Sequence, residues 1–412
     1  MIRAKLLERA VAPARAVNYD NLGTVEFILE EAHDDPWFLE MNTRLQVEHA
    51  ATEAITGFDL VEWQIRIASG EHLPALQDAV TENGHAIEAR ITAERADQGF
   101  RPDGGCILGY SEPASVRVDS GVAAGSDVTL FYDSLLAKAN GAGEPREIAR
   151  AKLVAGLEDF TIFGPATTLP FLIDALESPV FAEGRATTRF IEDTSPEGWK
   201  PGRPHARLAR AAAALLSLAE PASGAATASA WTRLSGFRLL GPAGGVSETR
   251  LVASENGETS RLAVRIRADR MRRVFDERGE VLVDVRSHAP ALEIEADGHV
   301  LRGAFEAEAG RVRLTLGGAP YDVRVEPEVA MVAASSAAAG GSGAVIAPMP
   351  GVGAEVNVAV GDRVEVGQVV AVLESMKLFT SLCAESADVN CRAGETAPVG
   401  KRLVLIEPQA AA

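Results

Sequence analysis

Residues 364–383 constrain this chain more tightly than any other stretch. Two runs of alternating apolar residues, 364–373 and 378–383, are separated only by Glu374-Ser375-Met376-Lys377. Successive side chains of an extended chain point to opposite faces, so period-two alternation predicts strands with one face buried. Two such runs with so short a connection predict a tight hairpin with Lys377 at its tip, its side chain in water. The flanking Ala347-Pro348-Met349-Pro350-Gly351, Val360-Gly361-Asp362 and Gly367-Gln368 are turn and strand-end chemistry. Residues 345–408 therefore predict a small all-β barrel. A lysine at a hairpin tip is by itself one surface lysine among many.

The same punctuation recurs upstream. Short alternating runs at 261–267, 281–285, 291–296, 311–316 and 321–325 are separated by Asn256-Gly257, Asp297-Gly298 and Gly317-Gly318. They predict a second small antiparallel barrel or sandwich. An Ala- and Leu-rich helix over 205–219 precedes it, behind a Pro/Gly-rich joint at 195–204. Residues 331–344 are a low-complexity Ala/Ser/Gly linker, suited to tethering a mobile carrier. The first region is mixed. It predicts a helix over 1–17, strands at 24–29 and 37–42 joined by His33-Asp34-Asp35-Pro36, and an extended segment to Glu48. A helix over 59–69, a β-rich stretch over 85–138, and two helices within 144–178 around Phe163-Gly164-Pro165 follow. The fold class is α+β multidomain, divided at 1–75, 76–194, 205–330, 331–344 and 345–408.

Composition narrows the function classes. The formal charge of −18 argues against nucleic acid or an anionic membrane as a main partner. No apolar run is long enough to span a bilayer, and the first residues lack the apolar core and cleavage site of a signal peptide. Three scattered cysteines, Cys106, Cys383 and Cys391, have neither metal spacing nor a disulfide framework. That pattern suits a reducing cytoplasm, or the mitochondrial matrix in a eukaryote.

Chemistry-bearing residues concentrate in the first hairpin. A turn near His33 places Glu26 opposite Glu40. Like charges directly opposed across strands are destabilising, and a cation between them reverses the sign. With Asn42 one pleat further on, the set suits Mg²⁺ bridging nucleotide phosphates; two solvent-facing glutamates on an edge hairpin fit the same pattern. Glu40, Asn42, Arg44, Gln46 and Glu48 all occupy even positions, so an extended chain would line them on one face. An Arg between two acids looks like a site for a small anion and a base, although an ordinary amphipathic strand is compatible too.

Those residues carry a resemblance. The run from Glu40 to His49, with Thr52-Glu53 and Ile55-Thr56-Gly57, resembles the catalytic signature of biotin carboxylase, an ATP-grasp enzyme. Glu88-Ala89-Arg90-Ile91 and Phe131-Tyr132-Asp133-Ser134-Leu135 look like its C-terminal subdomain. The tip Ser375-Met376-Lys377 resembles that of biotinyl domains; lipoyl domains share the fold but usually carry Asp-Lys-Ala. In order and content the chain resembles the α subunit of a biotin-dependent acyl-CoA carboxylase of the methylcrotonyl-, geranyl-, propionyl- or acetyl-CoA type.

The resemblance implies the C-terminal part of an ATP-grasp biotin carboxylase, a helix plus small β-barrel docking domain, and a biotinyl/lipoyl-type β barrel-sandwich. It implies that Glu26, Glu40 and Asn42 hold Mg²⁺ or Mn²⁺ and that Arg44, Gln46 and the Val47 backbone bind bicarbonate. Glu48 would be the general base, Arg90 would stabilise the biotin enolate, and Lys377, beside Met376, would carry biotin. ATP would be a substrate. Partners would be a carboxyltransferase β subunit, biotin protein ligase and, through the β subunit, an acyl-CoA, in a hetero-oligomer. The alternative is a non-catalytic biotinyl carrier and docking subunit.

The sequence also departs from the family. The Gly-rich phosphate loop and lysines that precede the metal hairpin in relatives have no counterpart before Glu26, where Lys5 is the one lysine. Carboxylation therefore requires a lobe that this sequence does not include. Residues 382–391 are a few residues short and lack the usual Gly. Leu136-Ala137-Lys138-Ala139-Asn140-Gly141 lacks the apolar residues that usually follow the lysine.

Overall fold

A computed structural model describes residues 2–30, 35–129, 131–218, 247–266, 272–296, 298–308, 310–328, 344–346, 351–358, 368–375, 378–383, 396–397 and 402–405. By contacts the chain divides into two compact units. One comprises Met1–Ala89, Ser115–Arg117 and Ala139–Leu153; the other comprises Arg90–Ala114, Val118–Lys138 and Val154–Ala412.

The first unit opens with the expected helix, α1 (Ile2–Ala16), which buries none of its residues. Strands β1 (Thr24–Leu29) and β2 (Pro36–Asn42) pair antiparallel as a sheet of their own. The extended segment expected to reach Glu48 does not form. The strand ends at Asn42, the chain bends at Arg44 and turns at Val47-Glu48, and α2 (His49–Thr56) begins. The cause is local. Ala50, Ala51, Glu53 and Ala54 are strong helix formers, and Gly57, in the left-handed region at φ 77°, closes the helix. Helix α3 (Leu60–Ala68) follows where the sequence places it, with the Asp59 carboxylate accepting the Glu62 N–H at 2.7 Å.

Strands β3 (His85–Thr92), β4 (Arg117–Ser120) and β5 (Leu135–Gly143) form a three-stranded sheet with β5 in the middle. Helix α4 (Arg146–Asp159) lies close against β5. A Cβ at Gly141 would fall 2.5 Å from the Ala149 carbonyl oxygen, so the departure from apolar residues here admits a backbone where a side chain would stand. Strand β6 (Thr161–Phe163) and α5 (Leu169–Glu177) complete this part, with Leu169, Ile173 and Leu176 buried.

The second barrel is built around a helix. In α6 (Ala206–Ser217) residues 211–216 are all buried. A helical stretch apolar on every side, as 211–216 is, must be enclosed. It is enclosed by a nine-stranded antiparallel sheet: β7 (Ser247–Glu255), β8 (Glu258–Ile266), β9 (Arg272–Asp276), β10 (Gly279–Val281), β11 (Asp284–His288), β12 (Ala291–Ala296), β13 (His299–Glu308), β14 (Arg311–Leu316) and β15 (Ala319–Pro327). The order is β10-β9-β8-β7-β15-β14-β13-β12-β11. Its two outermost strands are consecutive in sequence, joined by Leu282-Val283 alone, so the sheet must curl round on itself. The single strand expected over 281–285 is therefore two strands with a corner between them. Leu251, Val264, Val274, Ile294, Leu314, Tyr321 and Val323 close on the alanine face of α6 in one core. Alanines let the helix sit this near the strands.

At the C-terminus are β16 (Ala344–Ile346), β17 (Gly351–Val356), β18 (Val369–Ser375), β19 (Leu378–Cys383), β20 (Thr396–Ala397) and β21 (Arg402–Leu405). They form a four-stranded sheet, β19-β18-β17-β20, and the pair β16-β21. The linker 331–343, the stretch 220–246, residues 364–367 and the shortened segment 384–391 lie outside the described residues.

Candidate functional site

The first hairpin positions its carboxylates through register. Glu26 pairs with Glu40 and Thr24 with Asn42, and an irregularity after Glu26 shifts the register so that Phe27 meets Phe38. Both acids thus project from the same end of the hairpin, which the sequence reading anticipates. The Asn42 amide bridges them: Nδ2 donates to Glu26 Oε1 at 2.8 Å and to Glu40 Oε1 at 3.1 Å. Gln46 Nε2 donates to the same Glu26 oxygen at 3.2 Å. Glu26 is half-buried and Glu40 exposed.

The single polar face expected for positions 40–48 is corrected here. Arg44 is exposed and its Nη1 donates to the Leu45 carbonyl at 3.3 Å. Glu48 caps the start of α2 with its backbone, and Val47 lies in the turn before it. The turn brings Gln46, not Arg44, back onto Glu26, so Glu26, Glu40, Asn42 and Gln46 form the cluster. Arg90 lies exposed on β3, in the other unit from Glu48.

A divalent ion fits this donor set. Among the described residues no group of three or more His, Cys, Asp and Glu side chains converges. Two opposed carboxylates with neighbouring amides are what Mg²⁺ needs when substrate phosphates complete its shell, since Mg²⁺ is commonly held through one or two carboxylates. Mn²⁺ would use the same oxygens.

Outside the cluster stands a charged pair that the sequence does not reveal. Glu53 on α2 is buried; it accepts the Leu60 N–H at 2.6 Å, capping α3, and pairs with Arg117 Nη1 at 2.6 Å. An acid among the alanines of a short helix was the available signal. Its partner, 64 residues on, was not legible.

In the C-terminal sheet β18 pairs with β19 down to Ser375↔Leu378. Two residues of sequence separate these partners, as a two-residue hairpin connection requires. Those residues, Met376 and Lys377, lie outside the described residues. A Cβ at Gly351 would meet Leu373 Cγ at 2.5 Å, so the start of β17 sits tight against β18.

Three stretches of the chain match known domain families. Residues 2–76 match the carbamoyl-phosphate synthase L chain ATP binding domain, 88–193 the biotin carboxylase C-terminal domain, and 343–406 the biotin-requiring enzyme domain. The chain is 33% identical over 402 residues to the propionyl-CoA carboxylase alpha chain of Caenorhabditis elegans, covering 93% of this chain and 55% of that one. It is 48% identical over 193 residues to methylcrotonoyl-CoA carboxylase subunit alpha of Glycine max, covering 46% of this chain and 26% of the relative. A solved biotin carboxylase domain of a thermophilic 2-oxoglutarate carboxylase, bound to bicarbonate, is 42% identical, with a TM-score of 0.42 over 44% of this chain and 41% of its own. The chain spans about half the length of the propionyl-CoA carboxylase relative. It is a homologue of the α chains of biotin-dependent acyl-CoA carboxylases, with a biotin carboxylase C-terminal domain and a biotin-requiring domain.

Proposed function

We propose that this chain works as the biotin carboxylase and biotin carboxyl carrier part of an acyl-CoA carboxylase. The observation that carries the proposal is the pairing of Glu26 with Glu40, bridged by Asn42 and joined by Gln46, at the head of a sequence matching an ATP-binding domain. In this reading Glu26, Glu40 and Asn42 would hold Mg²⁺ or Mn²⁺, which would supply positive charge against the phosphates of a bound nucleotide. Arg44, Gln46 and the Val47 backbone bind bicarbonate, and Glu48 takes its proton. Arg90 would place a fixed positive charge beside the ureido ring of biotin. A guanidinium keeps its proton at neutral pH, so Arg90 acts by charge and not as a base. Lys377, beside Met376, would carry biotin, which would supply the carboxyl-carrying chemistry when attached.

The partners in this reading are biotin protein ligase and a carboxyltransferase β subunit that brings the acyl-CoA, in a hetero-oligomer. The division at 1–75, 76–194, 205–330, 331–344 and 345–408 assigns 205–330 to β-subunit docking. A reducing cytoplasm, or the matrix in a eukaryote, suits the scattered cysteines. Catalysis also needs a nucleotide-gripping lobe. The first hairpin supports this: a two-stranded sheet is marginal alone, and Trp37, Phe38, Leu39 and Ile28 are each more than half exposed.

The test is intact mass after co-expression with biotin protein ligase. A biotin-sized increase that disappears in Lys377→Arg supports the carrier assignment. A lipoyl-sized increase, or none, sinks it.

A further inference from the structure

The joint at 195–204, read in sequence as a Pro/Gly-rich connection, is bolted at both ends. On the carboxylase side Trp199 Nε1 donates to Asp174 Oδ2 at 2.8 Å. Its ring stands edge-on to Phe171 at 5.8 Å, and Phe171 stands edge-on to Phe100 at 4.9 Å. Lys200 Nζ donates to the Asp97 carbonyl at 2.9 Å. On the barrel side Arg203 Nη1 lies 2.7 Å from Glu255 Oε1, a carboxylate almost fully buried on β7. Burial pushes the Glu255 pKa up, and Arg203 and Arg210 pull it down. The Arg203 guanidinium also sits over the Tyr321 ring at 5.6 Å, while the Tyr321 hydroxyl accepts the His205 N–H at 3.2 Å. Pro201 and Pro204 stiffen the chain between these anchors. The barrel also touches the carboxylase part directly. A Cβ at Gly318 (φ 73°) would fall 2.5 Å from Ile173 Cδ1.

We propose that residues 195–204 are a rigid strap, not a hinge, and that Trp199, Lys200 and Arg203 are positioning residues for carboxyl delivery. The strap fixes the docking barrel on the biotin carboxylase C-terminal subdomain. The separation of the two stations visited by the carrier is then set before the carrier moves. A tether works best when its reach matches a fixed span. The linker 331–344 extends to at most about 50 Å at ~3.6 Å per residue, so a barrel swinging on a loose joint would spend much of its time out of range. The functional consequence rests on the function proposed above; the rigidity does not.

The experiment is a distance measurement between spin labels on the full chain. One label goes on the native, exposed Cys106 and one on Val300→Cys, whose position is 56% exposed, with Cys383→Ser and Cys391→Ser. A single narrow distance peak is expected. It should be lost in Trp199→Ala with Lys200→Ala while the melting temperature holds, because both side chains lie outside the barrel core. A broad distribution in the parent, or a narrow peak that survives the double substitution, overturns the strap. In an assembled carboxylase the same substitutions should lower carboxyl transfer to acyl-CoA roughly tenfold and leave carboxylation of free biotin unchanged. Absence of free-biotin carboxylation in the assembled carboxylase with unsubstituted Trp199 and Lys200 would count against the functional reading alone, since the distance peak is independent of it.

Discussion

Asn140 shows how a single residue can work against its own fold. It is 4% exposed at the centre of β5, and neither amide atom has a partner among the described residues. Burying an amide without hydrogen bonds costs about 1–3 kcal/mol on protein scales. Asn140→Val should therefore raise stability by roughly 1–2 kcal/mol, read from the urea midpoint. A lower midpoint would mean that the amide finds partners through bound water. Glu53 is the opposite case, a buried acid whose two oxygens are both answered, by the Leu60 N–H and by Arg117. In sequence the two look alike, as polar residues in apolar surroundings. Only the neighbours brought in by folding separate them.

At the scale of elements, the pairing of Glu26 with Glu40 is legible in the sequence, whereas the register shift after Glu26 is not. Nor is the end of β2. Alternation of polar and apolar residues through Glu48 is equally compatible with a strand and with a turn leading into a helix. The helix-forming run 49–56 and Gly57 decided the outcome. The nine-stranded barrel offers a test of how its helix is held. Arg207 on α6 forks onto Asp276 at the end of β9, at 2.7 and 2.9 Å. The Arg207 hydrogen bonds hold the Asp276 carboxyl below its usual range, against the opposing effect of burial. A depressed folded-state pKa contributes stability that is present above the unfolded value and lost as pH falls through the folded one. Asp276→Asn should thus lower the melting temperature near neutral pH, and the gap to the parent should close as the pH drops below about 4. A gap of constant size down to acid pH would remove the ion pair from the account.

The whole molecule decides whether the cluster around Glu26 is an active site. Biotin-dependent ATP hydrolysis with free biotin and bicarbonate should be absent for this chain alone. It should appear when a nucleotide-gripping lobe is supplied, and then fall at least about 100-fold in Glu48→Gln and in Arg90→Ala. Activity of the chain alone that is lost in those variants would show that the lobe is dispensable. Activity that survives them would remove Glu48 and Arg90 from catalysis.

The sequence by itself determined the parts: an acid-bearing hairpin, an Ala-rich helix followed by Gly-punctuated strands, and two alternating runs flanking Met376-Lys377. Periodicity and turn chemistry are local, so they survive in one dimension. Tertiary structure alone decided that nine strands close around α6, that Gln46 turns back onto Glu26, and that the joint at 195–204 is fastened at both ends. Each of these depends on contacts between residues far apart in the chain, such as Arg203 with Glu255 or Trp199 with Asp174. No spacing rule specifies such contacts, because they form only when packing brings the partners together.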